Sequence, residues 1–165
     1  MTADLDAVLR ETLDERELGY DRTAPGSYLV KLEGRHKLAT MCWLVVGAHS
    51  LLVEAFFCRR PDENHAEFYR FLLERNARMY AVAFAVDNLG DVYLVGRLPL
   101  CAVSPDEIDT LLGSVLTYSD DNFDRALELG FGSSIRREWE WRVKRGESLR
   151  NLQAFARFAD PDRRP

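Results

Sequence analysis

The sequence predicts an α+β fold in which helices pack on a mainly antiparallel sheet. The strand-like stretches are grouped together, and the helix-like stretches lie before, between and after those groups instead of alternating with single strands. Short turns separate neighbouring strand-like stretches, which favours antiparallel pairing. The predicted order is α-βββ-α-ββ-α, followed by extra C-terminal helices.

The first half of the chain predicts one amphipathic helix and a three-stranded meander. Apolar residues recur at helical spacing between Asp4 and Leu18, and Gly19 provides a stop. Residues 21–26 are rich in turn-forming types and predict a turn before the sheet begins. The strand-like stretches that follow are Tyr28–Leu32, Thr40–Val46 and Leu51–Cys58.

The second and third strands of this meander are apolar on both alternating faces. A strand of that kind is typical of a sheet that is covered on both sides. We therefore expect helices on one face, and helices or a second subunit on the other. Glu54 is an exception within its strand, and it must either face water or have a partner.

The middle of the chain predicts a helix and a β-hairpin. Arg60–Asn64 ends the third strand and begins a helix with Phe68, Phe71 and Leu72 on one side. Two further strands follow over Tyr80–Val86 and Val92–Leu98, and Pro99 ends the second of them.

The C-terminal third predicts several helices in succession. Ser104, Pro105 and Glu107 form a capping box that begins a strongly amphipathic helix. A shorter helix is expected from the polar residues 119–122 to Gly130, another from Ser133 or Ser134 to Gly146, and a last one after Ser148. We expect one domain over residues 1–165, with an N-terminal helix in 1–20, a core in about 25–158 and a frayed tail in 159–165.

The charge of the chain is divided unequally along the sequence. The 165 residues carry a formal charge of −5, but residues 133–165 hold nine basic and five acidic side chains against 13 and 22 in residues 1–132. The net acidity argues against sequence-independent binding of nucleic acid. The basic C-terminal helices either pack beside the acidic part of the chain or form a binding face with Trp141, Arg142 and Arg145.

No arrangement of residues in the sequence predicts catalysis. The three histidines are isolated, and neither a nucleophile elbow nor a phosphate-binding glycine loop occurs, so we expect no enzyme, no metal and no cofactor. The three cysteines lie far apart in apolar stretches, which predicts buried thiols. As an alternative function, Arg75, Asn76 and Arg97 predict a cleft for a small ligand or a substrate.

The sequence predicts a cytoplasmic protein that does not enter membranes. Its first residues are acidic, whereas a targeting segment is basic there. The apolar stretches are shorter than the roughly 18 residues that a membrane-spanning helix needs.

Five stretches together resemble the actinobacterial branch of the YbjN-domain family, over residues 25–158 in all. They are Arg60–Asn64, Leu72–Asn76, Phe84–Pro99, Glu138–Arg142 and Gly146–Leu152. The resemblance implies a fold similar to the type III secretion chaperones. It also implies a regulatory or chaperone-like protein that binds protein segments as a homodimer. The basic C-terminal helices are an addition to that pattern, and binding of nucleic acid through them remains a third hypothesis.

Overall fold

The structure is a computed structural model that describes residues 2–150 and 155–159, and it confirms the α+β class. Its elements are α1 Thr2–Glu15, β1 Tyr20–Ala24, β2 Ser27–Leu32, β3 Thr40–Val46, β4 Ser50–Cys58, α2 His65–Asn76, β5 Val82–Val86, β6 Val92–Pro99, a 3₁₀ turn Leu100–Ala102, α3 Pro105–Arg145 and α4 Ala156–Ala159. The predicted frayed tail lies outside the described residues from position 160 onward.

The six strands form one antiparallel sheet in the order β1-β2-β3-β4-β6-β5. The meander of β2, β3 and β4 and the hairpin of β5 and β6 are confirmed. β6 lies between β4 and β5, so the hairpin joins the meander through its second strand. This order places β1 and β5 at the two edges of the sheet.

The strand β1 was not predicted, because its polar residues had indicated a turn. It pairs with β2 from Tyr20 opposite Val30 onward, and only Pro25 and Gly26 make the turn between them. Polar and charged side chains are common on edge strands, where they discourage pairing with other chains. Asp6 of α1 holds this edge by accepting hydrogen bonds from Tyr28 Oη at 2.7 Å and from Gly26 N at 2.7 Å.

The hydrophobic core lies between one face of the sheet and the three long helices. Alternate residues of β2 to β6 point into it, and Leu9 and Leu13 of α1 and Phe68 of α2 are fully buried there. The helix α3 crosses the whole core, where Ile108, Leu111, Leu112, Val115, Ala126, Leu127 and Phe131 are buried. Burial of this apolar surface is the main source of stability.

The helix α3 is one helix of 41 residues, where the sequence had predicted three shorter ones. Its predicted beginning is confirmed, since the Ser104 side chain accepts a hydrogen bond from Glu107 N, and Gly146 ends it with a φ of 66°. The breaks predicted at residues 119–122, at Gly130 and at Ser133 are wrong. The polar and small residues at these positions contact other parts of the fold instead of ending the helix.

Those contacts join α3 to the first residue of β3, to the loop before β3 and to the loop before α2. Ser119 shares a buried hydrogen bond with Thr40, and Asp120 accepts hydrogen bonds from the backbone nitrogens of His36 and Lys37. Ser133 donates to Glu63 at 2.7 Å. The side chains that the sequence indicated as helix caps therefore form hydrogen bonds to other parts of the fold.

The cysteines are only partly as predicted. Cys42 and Cys58 are buried thiols, and burial raises the pKa of each to about 12, so both remain neutral. The prediction is wrong for Cys101, which is exposed in the 3₁₀ turn after β6.

Candidate functional site

The second face of the sheet, here called the open face, carries many apolar side chains. Its larger side chains are Leu29, Lys31, Met41, Trp43, Val45, Leu52, Glu54, Phe56, Tyr93, Val95 and Arg97. They alternate along the strands with the residues that form the core. Eight of them are apolar or aromatic, which is unusual for a sheet face that meets water.

No helix in the described part of the chain packs over the centre of the open face. Trp43, Leu52 and Val95 are half-buried, yet they do not belong to the group of apolar residues that packs against the core. Phe56 is 42% exposed, and its ring contacts Tyr93 edge to face at 5.5 Å. The side chains of this face therefore contact mainly one another.

Charged residues occupy the middle and the borders of the open face. Glu54 lies between Trp43 and Val95 across the strands, and Arg97 lies opposite Leu52. Lys31, near the other border, pairs with Glu33 at 3.0 Å. Glu54 and Arg97 form no ion pair among the described residues. Of the two alternatives that the sequence left for Glu54, water or a partner, the open face provides contact with water.

A second feature, here called the apolar pocket, lies where the end of β4 meets α3. Its volume is about 530 Å³. The lining residues are Lys37, Phe56, Phe57, Cys58, Arg59, Phe123, Leu127, Phe131, Ser134, Ile135, Glu138 and Phe155. The α3 members follow one another at helical spacing along one side of the helix, so that side serves as a wall of the pocket.

Lys37 is the most unusual side chain of the apolar pocket. Its ammonium group donates to Phe56 O at 2.5 Å and lies 5.8 to 5.9 Å from the ring centres of Phe56, Phe57 and Phe123. Burial lowers its pKa to about 8. Its surroundings thus hold an ammonium group among aromatic rings, without a carboxylate beside it in the described part of the chain.

The other two charged side chains that line the pocket have partners of opposite charge. Arg59 donates to both carboxylate oxygens of Asp62, at 2.6 and 2.8 Å, and lowers the pKa of Asp62 to about 2. Glu138 accepts a hydrogen bond from Arg142 Nε at 2.6 Å. Of these three charged groups, Lys37 is the one whose charge is not balanced by the fold.

Replacing Lys37 with methionine is expected to stabilise the protein at neutral pH by about 1 kcal/mol, a figure reduced for the partial exposure of the group. The pKa of Lys37 is about 8 in the folded state and 10.5 when unperturbed, so the ammonium form disfavours folding most below pH 8. As the pH rises from 8 to 10.5, the folded wild type loses this penalty and the advantage of Lys37→Met shrinks. Urea unfolding of both proteins at pH 6.5 and pH 10 measures the difference, and an advantage that grows with pH would contradict the assignment.

Of the residues predicted to form a ligand cleft, Arg75 and Asn76 lie at the end of α2. Arg75 stacks its guanidinium group on Phe71, 4.9 Å from the ring centre, and lines a groove of about 280 Å³ with Tyr118 and Arg125. The Asn76 side chain is fully engaged: it accepts from Phe84 N at 2.7 Å and donates to Phe84 O at 3.1 Å. It therefore provides hydrogen-bond partners for the backbone N–H and C=O of Phe84 in the edge strand β5.

The third predicted residue, Arg97, does not join the other two. Arg97 lies on the open face, whereas Phe84, the partner of Asn76, points into the core on the opposite face. The sequence analysis instead missed the apolar pocket. Its aromatic wall residues belong to separate strands and helices, and in the sequence only the helical spacing of Phe123, Leu127 and Phe131 carries a signal for it.

The predicted binding residues of the basic end, Trp141, Arg142 and Arg145, all lie in the last turns of α3. Trp141 is 45% exposed, and Arg145 stacks on its ring at 4.7 Å. Arg142 is bonded to Glu138 on the same helix. This end of α3 thus carries an exposed aromatic side chain and cations, one of which already has an acidic partner.

The described residues form neither a metal cluster nor a membrane-spanning helix. Nowhere in residues 2–150 or 155–159 do three or more His, Cys, Asp or Glu side chains gather in a way that would hold a metal ion. Within the same ranges, each helix is too short or too polar to cross a membrane.

Solved structures of other proteins have the same fold as this chain. A chain of the ExsC–ExsE complex superposes with a TM-score of 0.55, covering 75% of this chain and 94% of the other at 15% identity. The Yersinia pestis type III secretion chaperone SycH, in complex with a fragment of YscM2, gives a TM-score of 0.52 at 15% identity, covering 70% of this chain and 96% of the other. The protein therefore has the fold of the type III secretion chaperones.

The chain belongs to the YbjN family, described as "putative bacterial sensory transduction regulator", whose pattern matches residues 5–128. It is 53% identical over 154 residues to the uncharacterised protein Rv0487 of Mycobacterium tuberculosis, covering 90% of this chain and 84% of that protein. The family resemblance and the chaperone-like fold predicted from the sequence are both confirmed.

Proposed function

We propose that this chain is a non-enzymatic, chaperone-like module of the cytoplasm that binds a segment of a partner protein and works as a homodimer. The observation that carries the proposal is the open face, which presents eight apolar or aromatic side chains with no described helix packed over its centre. Contiguous apolar surface of this kind marks sites of protein association.

The protein partner is supported by the fold and by its neighbours. The two superposed structures are complexes, one of them of a chaperone with a fragment of another protein. The cytoplasm is supported by the cysteines, because Cys42, Cys58 and Cys101 are all free thiols, and reduced cysteines are typical of that compartment.

The homodimer is supported by the pattern of charges on the open face. Glu54 lies near the centre of this face, opposite Val95 of β6. Arg97 lies two residues after Val95 on the same strand. In a two-fold interface each contact occurs twice, so a pair between Glu54 of one copy and Arg97 of the other would be formed twice and would balance both charges. The apolar residues on either side of Glu54, Trp43 and Val95, would be buried by the same packing.

Light scattering of the purified protein tests this interface. We expect the wild type to have the mass of two chains and Leu52→Glu that of one, because a carboxylate would be buried in the interface. Leu52 lies opposite Arg97, so the new carboxylate gains a cross-strand partner and the single chain stays folded. The matched control is Leu73→Glu, the same change at an exposed site on α2, which we expect to stay dimeric. A monomeric wild type, or a dimer broken by Leu73→Glu and not by Leu52→Glu, would show that the proposed interface is wrong.

A further inference from the structure

We propose that the apolar pocket binds a small amphipathic carboxylate, with its carboxylate beside Lys37 and its apolar tail among the phenylalanine rings. This inference goes beyond the protein-binding function, because it assigns a small ligand to the apolar pocket, which shares Phe56 with the open face but is otherwise lined by other residues. The carboxylate is the chemical feature that defines the ligand class, and the tail supplies most of the contact area.

The size and the lining of the pocket match this class of ligand. Sites for small molecules usually measure about 300–1,000 Å³ and combine an apolar wall with a few polar groups. The volume here is about 530 Å³, and the wall includes Phe57 of β4, Phe123 and Phe131 of α3, and Phe155 just before α4. A chain of methylene groups would replace water against these rings, which is favourable for each group buried.

The charge of the pocket selects an acid over an alcohol or an amine. Arg59 and Glu138 are neutralised by Asp62 and Arg142, so the ammonium of Lys37 is the unbalanced charge among these lining residues. A carboxylate beside Lys37 would form an ion pair in partly desolvated surroundings, where such pairs are stronger than in water. Cys58, the remaining ionisable group of the lining, is a neutral thiol and does not oppose an anion.

The end of this chain does not match the same pocket. Residues 160–165 read Asp-Pro-Asp-Arg-Arg-Pro, with no large apolar side chain to lie among the phenylalanine rings. The two carboxylates there, Asp160 and Asp162, are balanced by Arg163 and Arg164, so this segment lacks both the apolar tail and the unbalanced negative charge of the proposed ligand. The chemistry of the pocket therefore points to a separate molecule.

Titration calorimetry with decanoate, below its micelle concentration and at pH 7, tests the proposal. We expect saturable binding of one decanoate per chain, and at least tenfold weaker binding of decyltrimethylammonium, which has a similar tail and the opposite charge. Lys37→Met should weaken decanoate binding at least tenfold. Because that variant is expected to be more stable than the wild type, loss of binding would not reflect loss of the fold.

Two further variants locate the site and control for charge. Ile135→Trp puts a bulky indole in place of an aliphatic side chain on the pocket wall and should abolish decanoate binding. The melting temperature reports whether the variant remains folded. Lys144→Met removes an exposed cation elsewhere on α3 and should leave the dissociation constant unchanged. The proposal is overturned if decanoate produces no saturable heat, if the ammonium compound binds equally well, or if Lys37→Met and Lys144→Met behave alike.

Discussion

Replacing Gly130 with alanine is expected to lower the free energy of unfolding by about 1–3 kcal/mol, the usual cost of overpacking a core. A Cβ atom at this position would lie 2.8 Å from Pro61 Cβ and 2.9 Å from the Phe68 ring. Gly130 O also accepts hydrogen bonds from the backbone nitrogens of Asp62 and Glu63, which keeps that loop close to the helix. Helix propensity alone predicts the opposite, a gain of about 1 kcal/mol for alanine over glycine.

Gly113 provides the matched control within the same helix. A Cβ atom there meets nothing within 4 Å, so Gly113→Ala should stabilise the protein by about 0.5–1 kcal/mol through helix propensity. Urea unfolding of the two variants measures both effects. Equal stabilisation by both substitutions would mean that the loop before α2 does not pack closely on α3.

Replacing Asn76 with aspartate is expected to lower the free energy of unfolding by about 1–3 kcal/mol, because a partly buried hydrogen bond is lost and an acceptor is left unpaired. The Asn76 amide accepts from Phe84 N and donates to Phe84 O, and a carboxylate retains only the first of these bonds. In place of the second bond it sets an anionic oxygen against a carbonyl oxygen. Thermal or urea unfolding at pH 7 measures the loss.

The same change in charge at Asn88 is the control for this prediction. Asn88 is exposed in the turn between β5 and β6, where aspartate is equally suited to the backbone. We expect Asn88→Asp to change stability by less than about 0.5 kcal/mol. If the two variants lose stability equally, Asn76 does not hold the edge of the sheet and remains available as the binding residue that the sequence predicted.

The elements of the fold were predictable where periodicity and burial agree. The strands β2, β3, β4 and β6 alternate or are strongly apolar, and the beginning of α3 has a complete capping box around Ser104. The edge strand β1 was missed because its pairing depends on β2 and on Asp6, which local composition does not reveal. Gly130 was misjudged for a similar reason, since its role is close contact with Phe68 and Pro61.

The candidate sites were less predictable, because they depend on which face of the sheet a side chain occupies. The sequence indicated that β3 and β4 are apolar on both faces, and from this it anticipated a second covering layer. Nothing local indicated that Asn76 binds backbone atoms of β5, or that Arg97 lies on the opposite face. The position of Lys37 among three aromatic rings arises from contacts between residues 19 to 86 positions apart, which single-sequence patterns do not encode.

Photo-crosslinking in living cells tests most directly the claim that the open face binds protein. Benzoylphenylalanine placed at position 43, in the centre of this face, should give covalent adducts, including one of two copies of the chain. The comparison site is position 143, an exposed position near Trp141 on the basic end of α3. Adducts from position 43 that disappear with Leu52→Glu are the result that we predict. Adducts from position 143 alone would contradict the account and place the binding surface on the C-terminal end of α3.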